Sequence, residues 1–225
     1  TDGDRFGHSV AINDGIAIVS ASREDDGSGT SSNSSGKAYI FNAPEAAPAV
    51  APAVSADWSN VTLAHTLDNP NPHDTSTDDF FGNAVAMSDN YTIVGAYREY
   101  DAGAYSGKAY IFNSTTGALL HTLDNPNAYG TSTDDNFGSA VAISDDYAFV
   151  CTHSESNDSG KAYIFNVSDG SLAYTLDNPN LGYGTGANGD KFGYSCAISG
   201  DFVIASAVEE NDINGTDSGI VYIFN

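Results

Sequence analysis

The chain has 225 residues, enough to bury one substantial all-β core, and carries 30 acidic against 7 basic side chains for a net charge of −23. Nucleic-acid binding rests on Lys and Arg displacing counterions from phosphates, so this charge excludes nucleic acid as a partner. No run approaches the roughly 20 apolar residues of a membrane helix, which excludes membrane insertion of that kind within this segment.

One phrase recurs four times in chain order. It opens on Phe-Gly, at Phe6-Gly7, Phe81-Gly82, Phe137-Gly138 and Phe192-Gly193, and closes at Phe41-Asn42, Phe112-Asn113, Phe165-Asn166 and Phe224-Asn225. The opening phenylalanines stand 75, 56 and 55 residues apart, a period that marks a repeat architecture. Thr1-Asp2-Gly3-Asp4 already lies inside a repeat, so the chain is expected to be part of a longer polypeptide.

The second copy shows the unit most plainly. Residues 84–87 are a short apolar strand, Ser88-Asp89-Asn90 a tight turn, and residues 91–96 a second strand. A polar loop over 97–106 leads to Gly107-Lys108 and a third strand over 109–112, and residues 118–123 form a fourth. Four antiparallel strands in roughly 55 residues describe one blade of a β-propeller. Ala-Tyr-Ile-Phe and Ile-Ala-Ile-Val are apolar at both parities, as strands covered on both faces require. The fourth strands, such as Leu119-Leu120-His121-Thr122-Leu123, alternate and should lie outermost.

The expected blades are 4–68, 79–124, 135–177 and 190–225 of a single repeat domain. The first carries a Pro/Ala-rich insertion over 43–57 between its third and fourth strands, either a tolerated surface loop or a semi-rigid contact arm. The last stops at Asn225 after its third strand, leaving fifteen strands and a bare edge. The four opening phenylalanines are expected to be buried at equivalent positions, with the strand after each Phe-Gly innermost.

Two cysteines replace small residues of other copies: Cys196 stands where Val10, Val85 and Val141 do, and Cys151 where Ser20, Gly95 and Ser206 do. Both read as small buried fillers, and spacing leaves open whether they pair. Asn-X-Ser/Thr triplets occur at Asn33, Asn60, Asn90, Asn113, Asn157, Asn166 and Asn214, and would be glycosylated only on a eukaryotic secretory route.

Asp4-Arg5-Phe6-Gly7-His8-Ser9-Val10-Ala11-Ile12, followed by Ile16-Ala17-Ile18-Val19-Ser20-Ala21, resembles the FG-GAP repeat. The similarity is greatest to its bacterial and viral subgroup, which Phe192-Gly193-Tyr194-Ser195-Cys196-Ala197-Ile198-Ser199-Gly200-Asp201 matches nearly residue for residue. The resemblance implies a propeller, usually of about seven blades as in integrin alpha chains. It does not carry over the integrin calcium loop. The turns Asn13-Asp14-Gly15, Asp89-Asn90, Asp145-Asp146 and Gly200-Asp201 are too short to wrap an ion that needs six to eight oxygens.

Candidate chemistry is sparse. The five histidines show no paired zinc spacing, and no nucleophile elbow or phosphate loop occurs. Carboxylates recur before each Phe-Gly and again between the second and third strands, and repetition in every blade argues against one catalytic pair. Loop hydrogen bonding is the expected role. Asp25, Asp26, Glu99, Asp101, Glu155, Asp158, Glu210 and Asp212 are the candidates for weak calcium binding, calcium being the one cofactor these loops suit.

These observations point to a non-enzymatic structural or adhesion module of an extracellular, cell-surface or virion protein. It would act through loops and rim on other protein subunits or a cell-surface ligand, and its last blade would be completed by a strand added from the continuing polypeptide or from a neighbouring subunit, the latter giving an oligomer. One alternative is a glycan-binding, lectin-like propeller, with Tyr129 and Tyr183 stacking on sugars. A second is the propeller part of a larger enzyme.

Overall fold

The computed structural model describes residues 5–13, 15–24, 35–42, 61–71, 79–100, 105–127, 134–180, 189–210 and 217–225. They form four antiparallel sheets in chain order. The first contains β1 (Phe6–Asn13), β2 (Ile16–Ala21), β3 (Lys37–Asn42) and β4 (Thr62–Asp68). The second contains β5 (Phe81–Met87), β6 (Tyr91–Ala96), β7 (Lys108–Asn113) and β8 (Leu119–Asp124). The third contains β9 (Ala140–Ile143), β10 (Tyr147–Thr152), β11 (Lys161–Asn166) and β12 (Leu172–Asp177). The fourth has β13 (Phe192–Ser199), β14 (Phe202–Ala207) and β15 (Ile220–Phe224).

Each sheet is a meander whose strands pair in sequence order. Two-residue turns join the first two strands. The Ser88 amide donates to the Tyr91 carbonyl at 2.8 Å, and Ser144 to Tyr147 at 2.8 Å, across Asp89-Asn90 and Asp145-Asp146. The insertion over 43–57 lies outside the described residues, but it falls between β3 and β4, which pair. In place of an open polar loop, the third copy has one left-handed turn over Glu155–Asp158, with φ near 60° at Ser156, Asn157 and Asp158. Polar Ser, Asn and Asp bear that conformation better than bulkier residues.

The first strand of each sheet packs against the first strand of the next, so β1, β5, β9 and β13 line the inside. The core lies between blades. Ile18, Ala38, Ile40 and Leu67 of the first sheet meet Phe81, Val85, Val94, Tyr110 and Phe112 of the second. Ile93, Ala109, Ile111 and Leu123 meet Phe137, Val141, Val150, Tyr163 and Phe165. Phe149, Cys151 and Ala162 meet Phe192, Val203 and Ala205. Each blade thus has an incoming face, carrying Phe-Gly, and an outgoing face that receives the next blade.

The Phe-Gly device is a bulge. The ladder of β5 with β6 slips between Phe81 and Ala84, and the same slip occurs in β1 and β13. The residue before each Phe is left-handed, with φ of 54° at Arg5, 53° at Phe80, 59° at Asn136 and 55° at Lys191. The kink aims the ring into the preceding blade, where Phe81, Phe137 and Phe192 are fully buried. Each Phe amide donates across the junction: Phe81 to the Ser35 carbonyl, Phe137 to Ser106 and Phe192 to Ser159, at 3.1 to 3.2 Å.

Phe6 departs from the expectation of four buried phenylalanines. It is 63% exposed, because no blade among the described residues packs against the incoming face of the first sheet.

Candidate interaction surfaces

The repeated carboxylates occupy two fixed places at the blade junctions. Those before Phe-Gly, Asp79, Asp135 and Asp190, are buried, and accept from the side-chain amides of Asn69, Asn125 and Asn178 at 3.0 to 3.2 Å. These asparagines open each Asn-Pro-Asn segment. They also accept from the backbone amide two residues on, at Asn71, Asn127 and Asn180, forming an Asx turn. The second set lies under the tyrosine of each third strand. Tyr39 donates to Glu24, Tyr110 to Glu99 at 2.6 Å, Tyr163 to Glu155 at 2.7 Å and Tyr222 to Glu210 at 2.6 Å. Asn71 and Asn127 add a donor to Glu99 and Glu155, both at 2.7 Å.

Burial dominates the electrostatics of these groups. Loss of solvent raises Glu99 to about 7 against the donors Tyr110 and Asn71, with nearby Asp79 adding repulsion. Glu155 is raised for the same reason, and Asp190 by burial and then by Glu210. The tyrosine hydroxyls are pushed up by burial and by the carboxylates they serve.

Of the calcium candidates, Glu99, Glu155 and Glu210 are therefore buried acceptors of tyrosine hydroxyls, and Asp158 sits exposed in the left-handed turn. Asp25, Asp26, Asp101 and Asp212, and the sugar-stacking candidates Tyr129 and Tyr183, lie outside the described residues. Among the described residues no three His, Cys, Asp or Glu side chains gather at one point to hold an ion. Cys151 is buried and Cys196 half-buried, both as thiols; burial and then the adjacent Cys196 thiol raise Cys151. The outer-strand histidines brace the next blade. His65 bonds the Thr115 carbonyl at 2.7 Å and packs on Gly117, and His121 packs on Gly170.

The tyrosine–glutamate pairs escape a sequence reading because their separations vary, at 15, 11, 8 and 12 residues. The available signal was a tyrosine in every third strand, at a position where a purely apolar core would not need its hydroxyl.

Three surfaces have no partner among the described residues. The outer edge of β15 is unpaired, since its sheet has three strands. Beside it lies a groove of about 380 Å³, lined by Ile164, Tyr174, Leu176, Ile198, Val203 and Phe224 among others. Finally, the end faces are apolar. Phe6, Val10 and Ile12 are exposed on the incoming face of the first blade, and Phe202, Val221 and Ile223 on the outgoing face of the fourth. No helix among the described residues is long and apolar enough to cross a membrane.

The FG-GAP repeat model matches residues 1–41, 71–112, 127–165 and 184–224, one match per sheet and well over half of the chain. The chain belongs to the FG-GAP repeat family. No curated protein matches it in sequence. Among solved structures this FG-GAP chain is similar to the WD40 repeats of RRP9, with a TM-score of 0.53 at 12% identity over 96% of this chain and 50% of that one. It is likewise similar to the Dos1 propeller, with a TM-score of 0.52 at 12% identity over 90% of this chain and 42% of that one. At such identity the likeness shows the propeller fold alone. The FG-GAP chain spans about half the length of these propellers.

Proposed function

We propose that this FG-GAP chain is a non-enzymatic structural module of an extracellular or virion-surface assembly, engaged by an extended polypeptide strand that docks on β15. The observation that carries the reading is the groove beside that edge. In the first two blades the corresponding site is filled: His65 is covered by the Gly117 turn and His121 by the Gly170 turn. Tyr174 holds the same place in the third blade and is left exposed on the groove wall. An incoming strand would complete the ladder of β15 and lay apolar side chains against Leu176 and Phe224.

The chemistry of the donor is partly set by Ile220. Lys37, Lys108 and Lys161 stand at its position in the other blades, and each pairs with an aspartate closing the outer strand, Asp68, Asp124 or Asp177. Ile220 offers no cation, so the donor carries an apolar or neutral residue there. The buried carboxylates, committed to tyrosines and asparagines, support a structural rather than a catalytic role.

A synthetic peptide with the sequence of residues 117–124 but with Asn in place of Asp124, so that a neutral residue faces Ile220, tests this. Hydrogen exchange should show new protection at alternate amides of residues 220–224 when the peptide is added. No protection at saturating peptide, or full protection of that edge in the chain alone, overturns the reading.

A further inference from the structure

The chain has two cysteines in 225 residues, and they meet across one blade junction. Cys151 lies on β10 in the outgoing face of the third blade, and Cys196 on β13 in the incoming face of the fourth. The molecule builds this junction three times. Each time a residue of one blade's second strand is matched with a residue of the next blade's first strand: Ser20 with Val85, Gly95 with Val141, and Cys151 with Cys196. The first two junctions have no thiol at these places. The third has one on each side.

The backbones come close at this level. A disulfide bridges Cα atoms only within about 7 Å, whereas stacked sheets ordinarily lie about 10 Å apart. The glycines shorten that spacing. The Ser20 Cβ lies 2.9 Å from where a Cβ on Gly82 would stand, and the Cys151 Cβ 3.2 Å from where one on Gly193 would stand. A Cβ on Gly95 would sit 2.0 Å from the Gly138 carbonyl oxygen. Cys196 follows Gly193 by three residues, past the bulge, and its thiol is the hydrogen-bonding neighbour of the Cys151 thiol. Both side chains pack in one cluster with Phe149, Phe192 and Ala205.

We propose that Cys151 and Cys196 form a redox latch: a small-molecule disulfide oxidises them to a bond that locks the third blade to the fourth. The extracellular setting proposed above keeps oxidants of this class in place, but the latch uses neither β15 nor the groove beside it. One cysteine, as thiolate, attacks a sulfur of oxidised glutathione and expels one glutathione. The other then attacks the protein sulfur of the mixed disulfide and expels the second. Two S–H bonds of the chain are replaced by one S–S bond, the oxidant's S–S bond is lost, and both protons end on glutathione thiols. The cross-link spans 45 positions of sequence. Constraining the unfolded chain over that span should raise the melting temperature by about 5 °C or more.

The test incubates folded, reduced chain with excess oxidised glutathione. Free thiols should fall from two to none. The intact mass should drop by two hydrogens, and a non-reducing digest should yield the peptides of Cys151 and Cys196 joined to each other. The melting temperature should rise as stated, and dithiothreitol should reverse the rise. Cys151→Ser combined with Cys196→Val copies Ser20 and Val85 of the first junction; this variant should fold and show no response to the oxidant. Thiols that stay free in the folded chain, a stable glutathione adduct, a bond between two chains, or a cross-link that leaves the melting temperature unchanged each overturn the proposal. Protection of β15 by the peptide is read separately, so the two proposals fail independently.

Discussion

A carboxylate removed from water must find donors, and Glu99 takes them from Tyr110 and Asn71. Tyr110→Phe deletes one donor and leaves a buried acceptor short, which should cost about 1–3 kcal/mol in urea unfolding. The acid also makes stability depend on pH. Its folded value of about 7 lies above the 4.5 of the free side chain, so folding favours the protonated form. That contribution is complete below pH 4.5 and is lost as pH rises through 7, by on the order of 3 kcal/mol. Glu155 is raised in the same direction and adds to the trend. Unfolding free energy should therefore fall between pH 5 and pH 8, and Glu99→Gln should flatten the slope; an equally steep slope in the variant would refute the assignment. None of these partners was legible in the sequence. The recurrence of Tyr110 and of Glu99 could be seen, but a loop of variable length hid that one sits on the other.

Close approach decides what a strand end can carry. Gly107 and Gly219 occupy the same position in two blades, both left-handed, with φ of 76° and 71°. Alanine at Gly219 pays mainly the left-handed penalty, about 1 kcal/mol. At Gly107 it also meets the Phe137 and Tyr97 carbonyl oxygens at 2.2 and 2.8 Å, both backbone atoms that cannot swing aside. Gly107→Ala should therefore lower the melting temperature by several degrees more than Gly219→Ala, as scanning calorimetry would show. The same contact explains why Ser20, Gly95 and Cys151 are small. Ser20 and Cys151 meet Gly82 and Gly193, and a Cβ on Gly95 would meet Gly138. The strands themselves were readable, because Ala-Tyr-Ile-Phe is apolar at both parities and the turns between are short. The left-handed turn over Glu155–Asp158 was not, since its Ser-Asn-Asp run suits an ordinary polar loop equally well. The exposure of Phe6 also lay beyond reach, for it depends on which blades are neighbours rather than on the motif.

At the scale of the molecule, a net charge of −23 works against compaction. Sodium chloride should raise the melting temperature by screening, and calcium chloride at matched ionic strength should raise it no further if the buried acids are committed to tyrosine and asparagine. A calcium-specific rise would place an ion in the acidic loops. The asparagine–aspartate pairs have another consequence. Asn69 and Asp79, Asn125 and Asp135, and Asn178 and Asp190 tie together residues 10, 10 and 12 positions apart. Each pair acts as a clasp at the base of a connecting segment, so the anchorage stays the same while the enclosed length already differs. Closing a loop twice as long costs only about 0.6 kcal/mol, so ten residues inserted between positions 128 and 133 should be tolerated at about that cost in urea unfolding. If that tolerance is measured, such segments would serve as interchangeable cassettes. Their length and content could then change while the blades beneath them stayed the same, and an engineer could graft a foreign epitope there first.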